Sequence, residues 1–540
     1  MRTHPMSHID VDLLANQIIR FFCIPLLRGR LMRSSLSTLK SLSAKSSVLL
    51  PILTLSVALL ASGCGGSSGS STTSTTPSTP STANQWTWES GSSTVPATGM
   101  GQSGVYGTQG TAAASNIPGG RTVATRWTDN SGNFWLFGGD GVDSTGAYGG
   151  LNDLWTFNPT ADTWTWMSGS NTKNAVGIYG TLGVASASNI PGSRSYALSC
   201  TDTSGNLWLF GGAGRDSNGY SGLLNDLWEF NPIGKTWAWV SGSIPSNTQV
   251  GATGTFVGPT GVYGTQGTAA SSNVPGGRLQ AVSWTDSSGN FWLFGGTGYD
   301  STGTEGVLND LWEFNTATKQ WTWVNGSSTV NAKGNYGTQG TSASSNVPGS
   351  RNNPISWTDK SGNLWLFGGS GYDSTGASST LNLNDLWSFS PTTKQWTWIS
   401  GSNTGNTSGV YGTLGVAATA NVPGPRYSAV SWVDSSGNLW LSGGMTFNLN
   451  GVTESLLNDL WKFNPTTKQW TWMSGASTTN AASVYGTLGV SAASNIPGAR
   501  FGAVSWTDSS GDLWLFGGSG DYNSTTQVTL DLNDLWRYQP

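Results

Sequence analysis

Apolar residues along this 540-residue chain gather in short runs that return in a fixed order. Asn-Asp-Leu-Trp occurs six times, ending at Trp155, Trp228, Trp312, Trp387, Trp461 and Trp536, with spacings of 73, 84, 75, 74 and 75 residues. An arginine opens each unit (Arg121, Arg194, Arg278, Arg351, Arg426 and Arg500), and the first glycine of a Gly-Gly pair follows 17 residues later. An invariant spacing predicts two strands joined by a tight turn. The turn itself reads Asp129-Asn130-Ser131-Gly132-Asn133, whose residue types supply side-chain hydrogen bonds and positive φ. Four strands per unit follow. Strand a comes after the arginine, and strand b is Phe/Leu-Trp-Leu-Phe-Gly-Gly. Strand c carries Asn-Asp-Leu-Trp, and strand d carries Trp-x-Trp, as in Trp164-Thr165-Trp166, whose indoles share one face.

Such units cannot bury both faces alone and must stack on like units. The repeat region begins with Trp86-Thr87-Trp88, a strand d with no a, b or c before it, and finishes with an a, b and c lacking a d. The two fragments make one unit, so Trp86 and Trp88 are expected to fasten a closed ring. The 29 tryptophans distribute as five in strand a, six in b, six in c and twelve in d, which reads as a core between sheets.

With these motifs in register over about 86–540, the chain resembles the kelch repeat, the family that includes the central propeller domain of galactose oxidase. The resemblance implies an all-β, six-bladed kelch-type β-propeller of four antiparallel strands per blade. The departure is a period of about 75 residues against the roughly 50 usual for kelch. The extra length falls in the b–c and d–a connections, which share one rim. Each d–a segment repeats Tyr-Gly-Thr-(Gln/Leu)-Gly and then Asn-(Ile/Val)-Pro-Gly, as at Tyr106 to Gly110, and reads as a packed collar around the face. The b–c loops differ more, and a unique site on a pseudo-symmetric ring is built from what the blades do not share. The candidate binding residues are therefore Arg215, Tyr220, Tyr299, Glu305, Tyr372, Glu454 and Tyr522. Asp-Ser-Thr-Gly in these loops reads as an Asx-turn, since one carboxylate per loop falls short of a Ca²⁺ cage.

Composition narrows the chemistry. Only 10% of residues are charged, but 76 glycines and 29 tryptophans argue for a folded, turn-rich chain. A formal charge of −4 argues against nucleic acid as a partner. The only histidines are His4 and His8, so removal of the N-terminus leaves none for metal sites or triads. No metal and no cofactor are expected, no catalytic residue is assigned, and galactose oxidase-type copper chemistry is excluded. Arg121, Arg194, Arg278, Arg351, Arg426 and Arg500 are expected to form structural ion pairs or loop anchors with Asp153, Asp226, Asp310, Asp385, Asp459 and Asp534. Cys200 replaces a repeat tryptophan and reads as a buried bystander.

The first 85 residues read as address and tether. Val48 to Leu60 is an apolar run of signal-peptide length preceded by Arg33, Lys40 and Lys45. Leu60-Ala61-Ser62-Gly63-Cys64 resembles the bacterial lipobox, which implies lipidation at Cys64 and a signal region 1–63, with Met32 a candidate start. Residues 64–85 form a Ser/Thr/Gly/Pro linker with a reach of roughly 25 Å. The expectation is a monomer exported to the bacterial envelope, held to membrane only by its lipid, and binding a glycan or protein on the long-loop face. The alternative is a carbohydrate-active enzyme of modest demands, such as a sugar mutarotase.

Overall fold

The structure, a computed structural model, describes residues 83–94, 96, 100–243, 258–447, 454–523 and 528–540. The signal region, Met32, Cys64 and nearly all of the linker lie outside the described residues. The described residues contain no helix.

The first complete unit shows how sequence becomes sheet. Strand a is two pieces, Arg121–Thr122 and Thr125–Thr128, both paired with strand b, Phe134–Val142. Strand c, Tyr148–Asn158, pairs with b and with strand d, Thr163–Ser168. The break in strand a was not expected from sequence. It falls at Val123, which adopts φ 50°. The Gly-Gly pair lies across the sheet from this break, and both glycines have positive φ. A Cβ at Gly138 would come within 2.7 Å of the Leu151 carbonyl oxygen and 2.8 Å of that of Arg194. Backbones of two units therefore meet at a spacing only glycine permits.

Units two to four reproduce this five-piece sheet, and unit five has four strands. The last unit divides into two sheets. Arg500–Phe501, Ser519–Asn523 and Val528–Asp531 form one. Val504–Thr507, Leu513–Phe516 and Leu535–Gln539 form the other, and its fourth strand is the N-terminal Gln85–Ser90. Trp86 lies opposite Tyr538 and Trp88 opposite Trp536, antiparallel. The sequence-derived closure is thus the observed one.

The cores lie between sheets. Phe134 of unit one stacks on Trp506 of unit six at 5.2 Å with planes 6° apart, in a cluster that also holds Trp155, Trp164 and Trp514. Trp127, Phe137, Trp228 and Trp237 perform the same role between units one and two. Backbone hydrogen bonds join the innermost strands from unit to unit. Val123 N–H donates to the Gly502 carbonyl, Tyr196 to Val123, Asn353 to Gln280, Ser428 to Asn353 and Gly502 to Ser428. Sheets packed face to face around a shared axis, with first and last units joined, make an all-β propeller.

Candidate functional site at the mouth of the central channel

The repeated polar residues are structural by their geometry. Arg278 donates from Nη1 and Nη2 to both carboxylate oxygens of Asp310, at 2.7 and 2.8 Å, and from Nη1 to the Gly295 carbonyl. Asp310 also accepts from the Tyr263 hydroxyl at 2.6 Å and from Trp312 Nε1 at 2.7 Å. Both partners of this ion pair are 0% exposed. The same node recurs in every unit, with Tyr106, Tyr179, Tyr336, Tyr411 and Tyr485 in place of Tyr263. At Asp226 burial pushes the carboxyl upward, but Arg194 and the bonds from Trp228 and Tyr179 outweigh it and leave the carboxyl below its ordinary value. The charged side chains of the node are at most 4% exposed, so they are spent on the fold and not offered to a ligand. The tyrosine link, which ties each d–a loop to its own strand c, was not anticipated from sequence.

The loop acids hold turns. Asp143 accepts from the N–H groups of Thr145 and Ala147 on one oxygen and from Lys173 N–H on the other, joining its b–c loop to the following d–a loop. On the opposite rim Asp129 accepts from Ser131, Asn133 and Trp135 Nε1. No group of three or more His, Cys, Asp or Glu that could hold a metal occurs among the described residues.

The d–a loops occupy the face only in part, a correction to the expected collar. After crossing the rim each runs along the outer edge of strand d. Ala113 bridges Trp164, Gly110 N–H donates to the Trp166 carbonyl, and Asn116 Nδ2 donates to the Trp164 carbonyl. A sheet edge with unpaired carbonyls needs such cover. The repeated segment supplies it identically in each unit, which is why its sequence hardly varies.

What varies lies at the centre of the long-loop face. The six linked innermost residues are Val123, Tyr196, Gln280, Asn353, Ser428 and Gly502, all at φ between 48° and 62°. No two are alike. The preceding positions are Thr122, Ser195, Leu279, Asn352, Tyr427 and Phe501, also all different. Across the strand pair these face Asp140, Ala213, Thr297, Ser370, Met445 and Ser519. A left-handed backbone costs an L-residue about 1–2 kcal/mol, most for a β-branched one. Val123 and Gln280 are held there where glycine, as at Gly502, would suffice. This left-handed turn thus falls at positions where the units cease to be identical.

The two sides of this mouth differ chemically. Asp531 of the last unit interacts with Tyr148 of the first, and Asp140 of the first unit with Ser195 of the second. Asp531 is 5% exposed, and its Oδ2 has no hydrogen-bond partner among the described residues. Burial pushes its carboxyl up to about 8; the charge of Asp140 adds to this, and Ser519 and Tyr148 oppose it. Burial likewise raises Asp140 to about 6, against a hydrogen bond from Ser195. Tyr427, Met445, Leu456 and Ala499 form an apolar cluster in units five and six, with Phe447 and Phe501 packed against it.

The residues selected from the b–c loops are dispersed. Tyr299 donates to Glu305 at 3.2 Å within unit three and is itself buried at 7% exposure. Glu454 accepts from Tyr427 at 2.9 Å in unit five, and burial raises its carboxyl. Arg215 and Tyr220 flank the Asp216 turn of unit two, with Arg215 Nη1 directed at the Gly219 carbonyl at 3.5 Å. Tyr372 is half-buried beside Asp373. Tyr522 belongs to Ser519–Asn523, and its side chain lies outside the described atoms. Glu454 is joined by its hydrogen bond to Tyr427, one of the mouth residues. The signal that finds the mouth is in the sequence: the second residue after each repeat arginine is different in all six units.

Fold, closure and the variable mouth define a propeller protein with one differentiated face. No family model matches the chain, and no curated protein matches it in sequence. Among solved structures it is similar to one titled "Structure of YjhT", with 14% identity and a TM-score of 0.45, covering 78% of this chain and 95% of that one.

Proposed function

We propose that this chain is a kelch-like binding module, tethered to a bacterial envelope through lipid on Cys64, that engages a glycan or a protein at the channel mouth on its long-loop face. The observation that carries this reading is the concentration of differences between otherwise repeating units around one ring of strained residues. The mouth offers carboxyls and hydroxyls on one side and aromatic and apolar groups on the other, a combination suited to the polar edges and apolar faces of sugar rings. The test is glycan-array binding by the propeller, residues 82–540, with follow-up titration of any saturable hit. Tyr196→Gly and Gln280→Gly remove mouth side chains at positions where glycine is conformationally welcome. Together they are expected to weaken binding at least tenfold without lowering the thermal midpoint. Binding that survives them but is lost on Arg215→Ala with Tyr220→Ala would move the site outward to the b–c loops.

The acid pair supports a second reading, sugar mutarotation, which needs one positioned acid and one base. Asp140 and Asp531 hold protons with different ease at one place, as such chemistry requires. Anomer interconversion of the bound sugar, absent in Asp531→Asn, would favour this reading over simple binding.

A further inference from the structure

The central channel contains a charge that neither the fold nor the mouth accounts for. Its cavity, about 490 Å³, is lined by the inner strands of all six units, and Arg126 is the one charged side chain among its lining residues. Arg126 occupies a position that is serine in the other five units: Ser199, Ser283, Ser356, Ser431 and Ser505. Those serines stitch neighbouring units together. Ser283 Oγ donates to the Ser199 carbonyl at 2.8 Å, Ser431 to Ser356 at 3.0 Å and Ser505 to Ser431 at 2.9 Å. Arg126 Nη1 makes the corresponding link to the Ser505 carbonyl.

One donor completes that link, and a serine would provide it. A guanidinium brings five donors and a full charge. The six repeat arginines each pair with an aspartate, whereas Arg126 forms no ion pair among the described residues. Burial lowers its guanidinium to about 10, with no acid opposing the shift. Arg126 is half-buried in the wall of this open, largely polar channel, where a cation without an acid partner is within reach of a counter-charge from solvent. The planar fork of arginine matches an oxyanion in two parallel hydrogen bonds. Four of the five serine hydroxyls already donate to carbonyls, so the guanidinium is the main source of donors for an anion in the channel. The cavity has room for one together with several waters, each taking about 30 Å³.

We propose that Arg126 makes the central channel a binding site for a small oxyanion of the sulfate, phosphate or carboxylate class, separate from the ligand at the mouth. The experiment is titration of the purified protein with sodium sulfate, phosphate or acetate at constant ionic strength in chloride, read by thermal shift and by calorimetry. The expected result is saturable stabilisation by at least one of them. Arg126→Ser, the residue five units already carry, should bind that anion at least tenfold more weakly while keeping the wild-type midpoint in chloride. Arg126→Lys retains the charge without the fork, and should bind with intermediate strength; it also supplies the comparison if the serine variant folds poorly. The absence of saturable stabilisation by any of the three anions, or stabilisation equal in wild type and both variants, would overturn the proposal. Because neither outcome involves a glycan or Tyr196 and Gln280, failure here is distinguishable from failure of the mouth as a binding site.

Discussion

The sharpest test of the repeated node is Asp310→Asn. Wild-type Asp310 neutralises Arg278 across two hydrogen bonds of 2.7 and 2.8 Å and accepts two more, from Tyr263 and Trp312. Both charges are 0% exposed, so water cannot replace what the substitution removes. Asparagine keeps one acceptor but turns an NH₂ toward the Arg278 guanidinium, which only donates. Breaking a buried pair by removing one partner costs about 3–5 kcal/mol, chiefly because the other charge is stranded. The expected outcome is therefore a loss of about that size, measured by urea unfolding followed through tryptophan fluorescence. The same physics predicts that Arg278→Met with Asp310→Leu and Tyr263→Phe is less damaging than Asp310→Asn alone. No buried charge then remains; the groups left without a partner residue are Trp312 N–H and the Gly276 and Gly295 carbonyls, and an orphaned donor of this kind costs about 1–3 kcal/mol. A single-variant loss below about 1 kcal/mol, or a triple variant worse than the single one, would refute the claim that an isolated buried charge dominates this node.

Two further outcomes follow from the seam between first and last units. Trp86, 3% exposed and packed on Trp432, Trp536 and Tyr538, closes the ring, so Trp86→Ala with Trp88→Ala should cost at least the 3–5 kcal/mol usual for a buried tryptophan. An unchanged thermal midpoint would show that the ring is fastened elsewhere. Asp531 holds its proton up to about 8 in the folded protein, well above the ordinary value for an unfolded chain. Its contribution to stability is thus complete below about pH 4 and declines as pH rises through 8. Asp531→Asn should remove that decline, so the stability difference between variant and wild type should widen in favour of the variant from pH 5 to 9. Parallel pH profiles would show that this carboxyl does not titrate as described.

The architecture was legible because it rests on local and repeated information. Asp-x-Ser-Gly-Asn specifies a hairpin through its own side-chain bonds, Trp-x-Trp specifies one buried face, and an unmatched strand d at one end answers an unmatched a–b–c at the other. None of these needs a distant contact to be recognised. The site was less legible. The b–c loops differ from blade to blade, which pointed to them as the site, yet Asp143 and its counterparts turn those loops back on themselves. Tyr299, chosen as a rim contact, lies buried against Glu305. The residues at the mouth sit two positions after each arginine, inside what reads as an uninterrupted strand.

What the sequence by itself determined was the unit, the number of times it recurs and the manner in which its ends complete one another, since hydrophobic order and turn chemistry act over a few residues. Only the tertiary structure decided which side chains meet at the axis. There, six backbones converge so closely that each strand a breaks into the left-handed region. Val123, Tyr196, Asp140, Asp531 and Arg126, scattered over 409 residues of strands and loops, become parts of one channel and its mouth because closing the ring brings the last unit against the first.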